Sequence, residues 1–143
     1  MLRYMLIVCA MLSGLLGNAI AAEPTPQDRA AMQQIIADQI AAFRADDGTA
    51  AYGYASPTVR QVFPTVDIFM SMVREGYPQV YRPQKYKFDK MGTSPVDGSP
   101  TQHVMIVGPD GKTYEAVYTL QQQPNGEWKI NGCTIVKLPG LDA

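Results

Sequence analysis

Apolar side chains recur at Met32, Ile35, Ile36, Ile40 and Phe43, spacings of 3, 1, 4 and 3 that trace one face of an α-helix. Arg29, Gln33, Gln34 and Asp38 fall largely on the other side. Thr25-Pro26-Gln27-Asp28 opens this helix with a capping hydroxyl, a proline at the first helical position and a carboxylate three residues after the cap. Arg44 suits the negative end of the macrodipole, and Asp46-Asp47-Gly48 is expected to end the helix. Ser56-Pro57 starts a short second helix over Thr58–Phe63, stopped by Pro64. Thr65 caps a third, carried by Val66, Phe69, Met70, Met72 and Val73, with Gly76 at C′ and Tyr77-Pro78 barring continuation.

Beyond Gln79 the period shortens. Tyr86 and Phe88 alternate with Lys85, Lys87 and Asp89, as in a half-buried strand. Gly92 to Pro100 reads as a loop and Gln102–Val107 as a strand. Gly108-Pro109-Asp110-Gly111 is a hairpin turn into the strand Thr113–Gln122, and Pro124-Asn125-Gly126 turns the chain into the strand Glu127–Leu138. Helices followed by antiparallel strands make an α+β fold. Helical stripe and sheet each need a cover, so the first helix is expected to lie in the concavity of a curved sheet of about four strands.

Met1–Ala21 departs from this scheme. Arg3, the apolar run from Met5 to Leu16 and the small-x-small site Ala19-Ile20-Ala21 read as a secretory signal, leaving one domain over 22–143. The expected location is the periplasm or the exterior, with no membrane attachment after cleavage. The 143-residue chain carries 12 Lys+Arg against 13 Asp+Glu, which gives no electrostatic footprint for nucleic acid. Of its two cysteines, Cys9 leaves with the signal and Cys133 remains, read as a buried small hydrophobe or an interchain bridge.

A resemblance is carried by Ala42-Phe43-Arg44-Ala45-Asp46-Asp47 with Ala51-Tyr52-Gly53-Tyr54-Ala55-Ser56-Pro57, by Phe69-Met70-Ser71-Met72-Val73-Arg74 with Tyr77-Pro78, and by Gly126-Glu127-Trp128-Lys129-Ile130-Asn131-Gly132-Cys133. In their order these segments resemble the nuclear-transport-factor-2-like cone, the fold shared by ketosteroid isomerase and polyketide-cyclase-like proteins. Within it the chain is similar to a family of short exported bacterial proteins of unknown function. The likeness implies a fold and an export route but no mechanism.

Candidate chemistry is sparse. His103 is the single histidine, so a multi-histidine metal site is excluded, and neither metal nor cofactor is expected. Nucleotide-binding glycine loops, hydrolase elbows, zincin helices and C-x-x-C pairs are absent. As bases the weak candidates are Asp47, Asp67 and His103, with Tyr118 as a proton donor. Asp47 doubles as a helix stop, Asp67 as a macrodipole partner and His103 as a hydrogen-bonded strand residue. Phe43, Phe69, Tyr86, Tyr118 and Trp128 supply aromatic walls, either as core or around a ligand pocket at an open end of the cone. The leading expectation is a non-catalytic binder of a small apolar molecule or a partner protein. The alternatives are a cofactor-free enzyme of isomerase or cyclase type, and a homodimer packed through its sheets.

Overall fold

The computed structural model describes residues 23–139, so Met1–Ala21, read above as a secretory signal, lies outside the described residues. Five helices, α1 (Pro26–Arg44), α2 (Gly48–Gly53), α3 (Pro57–Val62), α4 (Val66–Gly76) and α5 (Pro78–Tyr81), precede four strands. These are β1 (Lys85–Thr93), β2 (Pro100–Val107), β3 (Thr113–Gln122) and β4 (Trp128–Lys137). They pair as an antiparallel meander in the order β1-β2-β3-β4, the α+β arrangement expected from the pattern, and the sheet stays open.

The helical stripe is buried. Met32, Ile36, Ile40 and Phe43 share a hydrophobic cluster with Val104 and Ile106 of β2, Ala116, Tyr118 and Leu120 of β3, and Ile130 of β4. At about 1.5–3 kcal/mol for each large apolar side chain taken out of water, this contact is the main force holding helix to sheet. Thr25 and Asp28 close a reciprocal capping box at the start of α1. Gln33 Nε2 donates to Gln102 Oε1 at 3.2 Å, adding a polar tie from the same helix to the sheet.

Two bulges shape the sheet. Between Phe88 and Met91 the register of β1 on β2 shifts, and the buried Gln102 serves the irregularity by donating to the carbonyls of Asp89 and His103, each at 2.9 Å. On β4, Gly132 pairs with Thr119 but Ile130 with Leu120, so Asn131 is the extra residue. Past it the inward positions change from even to odd, and Cys133 and Ile135 join the cluster edge. The Asn-Gly pair inside a strand is the trace of this bulge in the sequence.

The two helix stops hold but each also starts a helix, and two bounds are corrected. α1 ends just before Asp46-Asp47-Gly48, as expected, and the same residues also begin α2. Asp46 takes a left-handed φ of 53°, a region that aspartate tolerates. Asp47 then caps α2 by accepting from Ala50 N at 3.1 Å. Tyr77-Pro78 ends α4 as expected, and because proline at N1 is pre-set for a helix, α5 follows at once. Gly76 is the last residue of α4 rather than a left-handed C′ cap, and Tyr77 makes the exit. The loop after β1 is also shorter than expected, since β1 runs to Thr93 and β2 begins at Pro100.

Candidate functional site

The link from α2 to α3 is sewn onto β4 beside the Asn131 bulge. Ala55 forms an isolated parallel bridge with Ile130, Ser56 N donates to Ile130 O at 2.8 Å, and Ile130 N donates to Tyr54 O at 2.9 Å. The buried Ser56 hydroxyl accepts from Val59 N, which caps α3, and donates to Asn131 Oδ1 at 2.7 Å. From this anchor α3 swings out with none of its residues buried. Its C-terminal end is caught by Tyr52, whose hydroxyl reaches the carbonyls of Phe63 at 2.6 Å and Arg60 at 3.2 Å. A short helix tied at both ends, with Val59 as its contact to the core, leaves room under it.

That room is a cavity of about 310 Å³, within the size range of small-molecule sites. Gln39 and Phe43 of α1 form one wall, α3 and α4 form the roof through Val59, Val62, Phe69 and Met72, and Tyr118 with Ile130–Cys133 forms the floor. The aromatic side is continuous, with ring centroids 6.2 Å apart for Phe43–Phe69 and 6.5 Å for Phe63–Phe69. Polar lining groups are few: Gln39, Thr58, Tyr77, Tyr118 and Asn131, with the Cys133 thiol.

The titratable groups of the floor are neutral. Burial, with the Cys133 thiol opposite it in the strand register, drives the Tyr118 hydroxyl well above its ordinary pKa. That hydroxyl is enclosed without a hydrogen-bond partner of normal geometry. Burial likewise pushes the Cys133 thiol up to about 12, so it is a protonated wall atom rather than a thiolate.

Residues 25–143 match the family model described as a domain of unknown function, DUF4864. The chain belongs to that family. No curated protein and no solved structure matches it.

Measured against this DUF4864 cavity, the sequence candidates divide. Phe43, Phe69 and Tyr118 line it. Tyr86 and Trp128 do not, which corrects their assignment as pocket walls. Tyr86 packs edge-on to Phe88 and lies under the Arg44 guanidinium, 5.7 Å from ring centre to Cζ. Trp128 precedes the bulge and sits at the other end of α1, where its indole N–H donates to Asp28 Oδ1 at 3.4 Å beside a shallow groove with Ile35 and Tyr54.

The base candidates are corrected too, because none reaches the cavity lining. Asp47 is spent as an exposed cap, and Asp67 is exposed in the first turn of α4. His103 alternates with the buried Gln102 and Val104, so it points to the opposite face of the sheet, where Nδ1 lies 3.0 Å from Glu115 Oε1. Asp46 and Arg82 form a brace instead. Arg82 donates to the Phe43 carbonyl at the end of α1 and pairs with Asp46 at 2.9 Å, while the Tyr81 hydroxyl donates to the same carboxylate. Gln39 and Asn131 went unnoticed as site residues, although the first interrupts an apolar stripe and the second marks the bulge.

Proposed function

We propose that this domain is an exported, non-catalytic binder that takes a small apolar molecule into the cavity between α1, α3, α4 and the β3–β4 floor. The observation that carries the reading is the lining: about 310 Å³ walled mainly by aliphatic and aromatic side chains, with few polar groups and no carboxylate, imidazole or cation among the described residues. Such a surface gains chiefly by removing apolar area from water, and a few placed polar groups set orientation. An isomerase or cyclase needs a base against its substrate, and Asp47, Asp67 and His103 all lie elsewhere. The α1 stripe held against an open, bulged sheet supports membership of the nuclear-transport-factor-2-like cones. The N-terminal pattern of Met1–Ala21 supports export with cleavage before Ala22 or Glu23.

Native mass spectrometry of the protein taken from its own compartment tests both parts. A chain beginning at residue 22 or 23 that carries a retained small molecule is the expected result. A full-length chain contradicts export. A bare dimer at every concentration contradicts ligand binding and favours sheet-to-sheet pairing.

A further inference from the structure

Gln39 stands three residues after Ile36 and four before Phe43, on the face of α1 where the periodicity calls for an apolar side chain, and it is 4% exposed. Its Nε2 donates to the Ala51 carbonyl at 3.1 Å. A carbonyl can be met there only by a donor, so this bond fixes the amide orientation and turns Oε1 the other way. No donor among the described residues meets that oxygen, and Gln39 lines the cavity. Facing the cavity rather than sealed in protein, the oxygen is available to a donor on a bound molecule.

Asn131 repeats the arrangement from the floor. Ser56 Oγ is an acceptor toward Val59 N, so its own proton goes to Asn131 Oδ1. The Asn131 amide hydrogens are left without a protein partner among the described residues, and this side chain also lines the cavity. The cavity therefore offers a fixed acceptor on one wall and, on the floor, donors in the Asn131 amide and the unpartnered Tyr118 hydroxyl.

Resting on the apolar-binder reading above, we propose that the ligand is a neutral apolar molecule bearing a hydroxyl, which donates to Gln39 Oε1. Its oxygen can in turn accept from the Asn131 amide. An ether or a ketone can accept but cannot satisfy Gln39. A carboxylate would lose its water without gaining a cation and would meet the Gln39 oxygen as a repulsive neighbour.

Titration calorimetry of the full chain at neutral pH with naphthalene, 1-methoxynaphthalene, 1-naphthol and 1-naphthoate tests this. The expected result is that 1-naphthol binds about tenfold more tightly than naphthalene or its methyl ether, with 1-naphthoate weakest. In Gln39→Met, a change of similar volume, that advantage should vanish while naphthalene affinity stays within about twofold. A naphthol advantage that survives in folded Gln39→Met overturns the role of Gln39. Equal affinity for naphthol, its ether and naphthalene overturns the hydroxyl inference while apolar binding stands. Failure of all four to bind overturns both. Should Gln39→Met not fold, the ranking of the four probes on the wild-type chain decides.

Discussion

The two halves of α1 face the same sheet with different results. Around Met32 and Ile36 the helix shares a buried cluster with β2, β3 and β4, and a glutamine pair, Gln33–Gln102, ties the side. From Gln39 to Phe43 the same helical face looks into the cavity, because the Asn131 bulge displaces β4 and α3 stands off on its two ties. One amphipathic stripe thus makes a core at one end and a wall at the other. What separates the ends is an inserted strand residue and a helix with no fully buried residue, not a change of hydrophobicity along α1.

Truncations should expose this contrast. Trp128→Ala, over the closed end, is expected to cost about 3–5 kcal/mol and Ile36→Ala about 2–5 kcal/mol in urea unfolding. A loss under about 1 kcal/mol at either would show that the closed end is not a packed core. Ser56→Ala removes both the α3 cap and the bond to Asn131, and should cost about 1–2 kcal/mol. If α3 is held by other means, that value will fall to about zero. Val62→Ala, on the cavity roof and 65% exposed, should stay within about 0.5 kcal/mol.

The smallest effect concerns pH. The Tyr81 hydroxyl and then Arg82 hold the exposed Asp46 carboxyl below its ordinary value of 3.8. A lowered folded-state pKa means that the contribution is complete above the ordinary value and fades as pH falls through the lowered one. The stability gap between wild type and Asp46→Asn should therefore be steady near neutrality and shrink in acid. A gap that grows on acidification would reverse the sign and remove Asp46 from the brace.

Much of the fold was legible before any coordinates. The 3-and-4 spacing from Met32 to Phe43, the caps at Thr25, Ser56 and Thr65, and the alternation in β3 depend on local chemistry, and the structure follows them. The one-turn helices α2 and α5 were missed because Asp47 and Pro78 serve as stops or starts according to what the chain packs on next. The site was less legible. Phe43, Phe69 and Tyr118 are large and apolar, and so stand out as wall material anywhere. Tyr86 and Trp128 look the same in sequence but sit on strand positions away from the cavity, Tyr86 opposite Ile106 and Trp128 at the start of β4, which only strand pairing reveals. His103 could not be placed on a face until its register with Val117 was known.

The central claim is that the space beneath α3 admits a small apolar molecule, and methyl NMR during a naphthalene titration tests it most directly. The expected result is saturable shifts at Val59, Val62, Met72 and Val73, with Ile36, Val104 and Leu120 unmoved. Shifts confined to the outer sheet face around Met105 and Val117, or none at all up to the solubility of the probe, would contradict it.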